Sequence, residues 1–314
     1  MRSFMRSFMR VFNQLSILIR REFWEHRNTF VILPAVITGF FLAMLLLALI
    51  ASNFATVSMS DEDIGFLGQP MESGNLFTYV VEGLGRLQAA DRAAYLNQGL
   101  QIMVSPLMLV WWFVSFFYLL GALFEDRRDR SVLFWKSLPV SDSLTVISKL
   151  VTAVIAVPMV YLAGAALLQF SALLLLTFSA LGTELSLWDT IWGPASLLGR
   201  WFGYLGLLLF YALWCLPFFA WLLAVSAFAK SIPLVWAIGL PIALIITERI
   251  LTRDSILADW MSNHVVPLQM FDGNSAVVES VAASLLSFQF VIALAVGAAL
   301  IGLAIWLRGK ADEL

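Results

Sequence analysis

The side chains able to do chemistry are few and widely spaced in this sequence. Its two histidines, His26 and His264, flank different apolar runs, and its one cysteine, Cys215, lies inside a third. A histidine-based zinc site would need carboxylates brought from afar, and neither an intramolecular disulfide nor a cysteine-rich metal centre can form. The GxxxxGK[ST] phosphate loop is absent, because Gly-Lys occurs only at Gly309-Lys310, so the chain cannot itself be a standard P-loop ATPase. HExxH is also missing, and the apolar runs hold no carboxylate pair or Ser/His arrangement that could attack a lipid or peptide bond. The chain therefore reads as a protein that is not an enzyme and binds no cofactor of its own.

One stretch, EDRRDRSVLFWKSLPVSD at residues 125–142, concentrates charge and then apolar surface. In its first half Glu125 with Arg128, and Asp126 with Arg130, fall at helical i,i+3 and i,i+4 spacing. With Arg127 and Asp129 they predict a paired, charged extension of the preceding helix. The second half is Ser131, Val132, Leu133, Phe134, Trp135, Lys136, Ser137, Leu138, Pro139 and Val140. Its apolar members are costly to expose to water, and large contiguous apolar patches usually mark an interaction site. Pro139 ends this element, while Ser141 or Ser143 can cap the following helix and Asp142 suits the positive end of its dipole. Two readings fit the apolar half. Another protein covers it, or Phe134 and Trp135 lie at lipid headgroups with Lys136 snorkelling.

The elements that position this stretch follow from composition. Of 314 residues, 61% are hydrophobic and 13% charged, and the mean hydropathy is +0.89. Soluble domains carry about 25% charged residues, so water is not this chain's main solvent. The net charge of −2 gives no basic field for nucleic acid. A bilayer core of about 30 Å needs roughly 20 apolar residues as helix. Six segments meet or approach that length: 30–50, 101–124, 145–178, 200–229, 231–247 and 285–307. The expected fold class is thus all-α, a polytopic membrane protein of six spans. The fifth span carries Pro233 and Pro241 and follows the fourth so closely, with only Lys230 between, that a helical hairpin is implied. At 34 residues, or roughly 51 Å, the third exceeds the hydrocarbon thickness and must tilt, bend at Pro158 or protrude.

Orientation comes from the flanking Lys and Arg. With the amino terminus inside, only Arg86, Arg92, Arg200, Arg249 and Arg253 of the 19 basic residues fall outside. The outer segment 51–100 is acidic, the second long outer segment is 248–284, the inner loop is 125–143, and a tail at 308–314 puts both termini in the cytoplasm. Phe8, Phe12, Leu15, Ile19 and Phe23 recur on one face of a helix within residues 1–29, which predicts an amphipathic helix on the inner leaflet. That basic stretch is too long for a signal peptide, so the first span is expected to be retained. Lipid headgroups are the expected partners of the basic clusters.

Within the apolar runs there is no Asp, Glu, Lys, Arg or His apart from Lys149 and Arg200 near span ends. The expectation is that no buried charge serves as a proton or cation relay, which argues against a proton-coupled transporter. A sodium site built of backbone carbonyls near Pro106, Pro158 or Pro217 stays open. Tyr118, Tyr161, Gln169, Tyr204, Tyr211 and Gln289 are the polar handles within the spans. They either line a path between two copies or make ordinary interhelical hydrogen bonds.

The acid-and-arginine run followed by SVLFWKSLPVSD resembles the first cytoplasmic loop of ABC-2 type permeases, the membrane subunits of bacterial ATP-binding cassette exporters. The wider plan is similar too: an interfacial amino-terminal helix, six spans, and an outer re-entrant region between the fifth and sixth. The resemblance implies that residues Ser131 to Val140 form a coupling helix docking on a separate ATP-binding cassette ATPase subunit, which would hold ATP and Mg. It also implies a homodimer or paired permease with two ATPase subunits in a bacterial inner membrane, moving a substrate outward. The first outer segment is longer than in the smallest family members, and no residue pattern names a substrate. An ion-coupled secondary transporter and a non-transporting scaffold or assembly factor are the alternatives.

Overall fold

The computed structural model describes residues 2–54, 76–129, 140–181, 183–265, 281 and 283–310. Every named element among them is helical. In chain order, α1 is Arg2–Glu25, α2 is Leu33–Phe54, α3 is Leu76–Arg86 and α4 is Ala89–Arg128. The next helix, α5 at Asp142–Val151, runs through a π turn into α6 at Val157–Ala180; then come α7 at Leu197–Trp214, α8 at Leu216–Phe228 and α9 at Pro233–Thr252. The short α10 is Ile256–Val265, and α11 is Phe288–Gly309. Among the described residues six helices are long and apolar enough to cross a bilayer, as fits a multi-pass membrane protein: Asn28–Ala51, Ala89–Arg128, Asp142–Ala180, Trp188–Trp214, Pro233–Thr252 and Phe288–Gly309.

The fourth apolar run differs from the single span expected at 200–229. It is two helices, α7 and α8, parted at Cys215, where the backbone (φ −87°, ψ 10°) leaves the helical region. Pro217 is the cause, because its ring lacks an N–H and crowds the preceding turn. Between α8 and α9 only four residues intervene, and the expected hairpin is present: the Trp221 indole N–H donates to the Ala237 carbonyl at 3.0 Å. That carbonyl lacks its helical donor because residue 241, four positions on, is a proline, so the indole supplies what the ring removed.

The chain forms two compact units. The first comprises residues 1–31, 109–160 and 206–314. Its α1 buries Leu18 and Glu22; on the predicted apolar face, Leu15, Ile19 and Phe23 are half-buried and Phe12 is exposed. Ser141 caps α5, its hydroxyl accepting from the Leu144 N–H. The long third apolar run deviates just before Pro158, through the π turn Thr152–Ala156. There Val157 N–H bonds back to Thr152, which leaves Ala153 looking for its partner at position 158, where proline has none. Trp111 and Ser115 of α4 both donate to the Ala153 carbonyl, at 3.0 and 2.8 Å. Gly297 lets α11 lie close to α8, since a Cβ there would meet Leu216 Cγ at 2.7 Å. Helix α10 is tied at both ends. The Glu248 carboxylate accepts from the Leu257 N–H at its start, and the indoles of Trp112 and Trp214 donate to the last carbonyls, Val265 and Asn263.

The second unit comprises residues 32–108 and 161–205. Val81, Leu84, Leu96, Leu100, Leu173 and Ile191 form its apolar centre. Arg92 fastens α3 to α4 by donating to the carbonyls of Leu84, Gly85 and Leu87. Gln169 donates to the Leu100 carbonyl and accepts from the Trp201 indole, while the Tyr204 hydroxyl donates to Gln101 at 2.6 Å. These buried polar groups engage one another within a single chain.

Candidate functional site

Five charged side chains of the first unit converge where the described chain resumes on either side of residues 130–139. Asp126 stands near the end of α4, before that segment, and Asp142 opens α5 after it. Arg308, near the end of α11, reaches both: Nη1 is 3.2 Å from Asp126 Oδ2 and Nε is 3.1 Å from Asp142 Oδ1. Lys149 of α5 continues the chain of charges, its Nζ lying 3.5 Å from Asp126 Oδ2 and 3.2 Å from Glu22 Oε1. The Tyr118 hydroxyl then donates to Glu22 Oε2 at 2.7 Å. His26 and Phe30 pack edge-on against the Tyr118 ring and shield that end.

Helix geometry explains why these residues meet. On α5, Lys149 shares its stripe with Val146, Leu150 and Ala153, all buried, so the ammonium is carried into the interior with them. On α11 the small residues Ala293, Gly297 and Ala304 line the buried face that leads to Arg308. Glu22 follows Leu18 by one turn of α1. The four deepest charges, Glu22, Asp126, Lys149 and Arg308, are each less than 7% exposed, and their two carboxylates match their two cations one for one. Asp142 sits at the rim, with its side chain 33% exposed. Full pairing is what makes such burial tolerable, since an unpartnered ion there would cost several kcal/mol or more.

The expectation that no charge is buried is therefore corrected. These residues lie at or beyond the ends of the apolar runs, so each reads as a flanking charge; only the packing of four helices shows that the flanks close over one another. A usable signal was present in the period of α5, where Lys149 occupies a position of the apolar stripe.

Of the predicted charged extension, Glu125 is exposed and Asp126 is buried. Arg128 pairs with the adjacent Asp129 at 3.1 Å rather than with Glu125 one turn before, and lies over the Phe124 ring. Arg127 turns inward and donates to the carbonyls of Ser226 and Ala229, at 2.8 and 2.9 Å, closing the end of α8. Val140 is half-buried. Arg130 and residues Ser131 to Pro139, with the proposed pairing of Asp126 and Arg130, lie outside the described residues. Of the polar handles, Tyr118, Tyr161, Gln169, Tyr204 and Tyr211 are buried and Gln289 is exposed. Compared with protein-family models, with curated proteins and with solved structures, the chain matches none.

Proposed function

We propose that the chain is the permease subunit of an ATP-driven exporter, working as a homodimer or paired permease in a bacterial inner membrane. Both termini face the cytoplasm, and α1 lies along the inner leaflet as an amphipathic elbow. Residues 131–140 dock on a separate ATPase subunit that holds ATP and Mg. The observation that carries this reading is the double grip of Arg308 on Asp126 and Asp142. A loop that only floats among headgroups has no need of stems locked together by buried ions, whereas a loop that receives force from a partner does. Through Lys149 and Glu22 the same network ties the stems to α1 and α11, so a push on the loop is delivered to several helices as a rigid-body displacement.

A second reading has its own support. Ionisable groups buried in a membrane protein are often a proton or cation path, and Glu22, Lys149, Asp126 and Arg308 form such a group. On that reading the chain is an ion-coupled transporter. Purification under mild conditions followed by reconstitution decides between them. The exporter reading expects a stoichiometric P-loop ATPase and ATP-dependent flux. It further expects that Phe134→Ser, Trp135→Ser and Leu138→Ser together detach the ATPase while the permease stays inserted. Flux driven by an ion gradient without ATP, or full ATPase binding by the triple variant, would overturn it.

A further inference from the structure

The second unit carries a feature that is separate from the ion network and does not depend on the ATP-driven reading. Between α6 and the start of α7, the turn Trp188–Trp192 and its short continuation Gly193–Ala195 frame an open cleft of about 440 Å³. That volume falls among small-molecule sites, which span about 300–1,000 Å³. Phe170 of α6, Trp188 and Trp192 of the turn, and Trp201 of α7 line it. Four of the nine described residues on its wall are thus aromatic, and three of them are indoles.

The accessible wall is almost wholly carbon. Trp192 Nε1–H donates to Thr177 Oγ1 at 3.0 Å and Trp201 Nε1–H to Gln169 Oε1 at 2.9 Å, so the polar edge of each of these rings is already engaged with α6. Phe170 packs edge-on against Trp192 with centroids 5.9 Å apart. Trp188 is 69% exposed, and its ring lies beside Gly193, where a Cβ would come within 3.6 Å of Nε1 and 3.8 Å of Cδ1. Gly199, also on the wall, has open space at its side-chain position, since a Cβ there meets nothing within 4 Å. Residues 181–199 include two acids, Glu184 and Asp189, both exposed, and no Lys or Arg. The arginines around this segment are committed elsewhere: Arg200 to Asn97 and Tyr204, and Arg92 to backbone carbonyls that include that of Asp189.

We propose that this cleft binds a quaternary ammonium group, such as the trimethylammonium head of choline. Aromatic rings attract cations, tryptophan most strongly, and the attraction grows as water is removed. A primary ammonium or a guanidinium needs hydrogen-bond acceptors when it leaves water, and a wall of carbon offers almost none. A quaternary nitrogen has no N–H to satisfy, and its methyl groups suit apolar walls. Asp189, next to Trp188 in the chain, adds a favourable charge. An anion would meet the opposite conditions, with no cationic side chain on the described wall. The head arrives either as a free solute or at the end of a lipid, and the chemistry of the site is the same for both.

The test is a saturation-transfer NMR titration on the full-length protein in a maltoside detergent, which carries no ammonium group. Choline is compared with its uncharged isostere, in which a tert-butyl group replaces trimethylammonium. Choline is expected to bind about tenfold more tightly, the ratio set by a partly desolvated cation–π contact. Trp188→Leu keeps an apolar side chain at an exposed position and is expected to bring choline down to the level of the isostere. Binding of the isostere should be unchanged in that variant, which also reports that it is folded, and Trp188→Phe should keep part of the preference. Gly199→Leu fills the cleft and is expected to remove both probes. A short-chain phosphocholine lipid below its micellar concentration separates the two sources: tighter binding than choline assigns a lipid head, weaker binding a free solute. Absence of saturable choline binding, equal affinity for choline and its isostere, a preference undiminished in Trp188→Leu, or choline binding that survives Gly199→Leu would each overturn the proposal.

Discussion

Arg308 holds Asp126 and Asp142 at the same time, at 3.2 and 3.1 Å, and so joins residues 182 and 166 positions away that lie on either side of segment 130–139 in the chain. Replacing Arg308 by Gln removes a buried cation from Asp126 and the guanidinium partner of Asp142, which costs about 3–5 kcal/mol. The thermal midpoint in detergent is expected to fall, and cleavage by a soluble protease within residues 130–139 to rise. Arg308→Lys retains a charge but lacks the fork that reaches two carboxylates, so it should recover stability only in part. Unchanged cleavage in Arg308→Gln would show that the stems are held by something else.

At the opposite end of the network the two partners of Glu22 are separable. Tyr118→Phe deletes a hydrogen bond and leaves the Lys149 pair in place, for a loss of about 1 kcal/mol. Glu22→Ala removes one of the two carboxylates that face the buried Lys149 ammonium and is expected to cost about three times as much. Thermal unfolding of both variants and of the double variant measures this, and the double variant should lie close to Glu22→Ala because the phenol has then already lost its acceptor.

Gly297 is required by proximity and not by backbone angle. Its substitution by Ala would drive a methyl group into the body of the Leu216 side chain, with the nearest atoms at 2.7 and 2.8 Å. Overpacking of this kind costs about 1–3 kcal/mol. Stability measured by thermal unfolding should drop for Gly297→Ala and recover when Leu216→Ala is added, whereas two additive losses would contradict the close approach.

Acid should weaken the protein through His264. Its folded-state pKa lies below the ordinary 6.5, chiefly through burial, with the bond to the Trp260 carbonyl acting in the opposite direction. Well above 6.5 the ring is neutral both folded and unfolded and contributes no pH dependence. As pH falls below that value the unfolded chain takes up the proton first, so stability declines until the pH passes the folded value. The thermal midpoint should therefore fall more steeply between about pH 7.5 and about pH 5.5 in the wild type than in His264→Phe. Parallel slopes would remove His264 as the source.

Much of the helical plan was legible because hydrocarbon imposes length and polarity on each span. The Ser141 cap and the tight turn before Pro233 were readable from local rules as well. The break at Cys215 was not: Pro217 advertises a disturbance, but whether a proline bends a helix or divides it depends on which neighbours satisfy the freed carbonyls. The ion network escaped for a different reason. Asp126 reads as half of a pair with Arg130 on its own helix, and that spacing says nothing of the two cations that reach it from α5 and α11. One-dimensional spacing carries no information about which distant turn a side chain will meet. The same holds for Trp111, whose indole reads as an apolar span residue until Ala153 is seen to need a donor.

The sequence separation across the Arg308 grip also orders events during synthesis. Asp126 and Asp142 leave the ribosome long before α11 exists, and until that helix is made their shared cation is missing. Asp126 and Asp142 lack that common partner for the whole interval in which residues 143 to 307 are being translated. On the exporter reading proposed above, an ATPase subunit that recognises the fastened geometry would engage only chains whose final helix has been delivered.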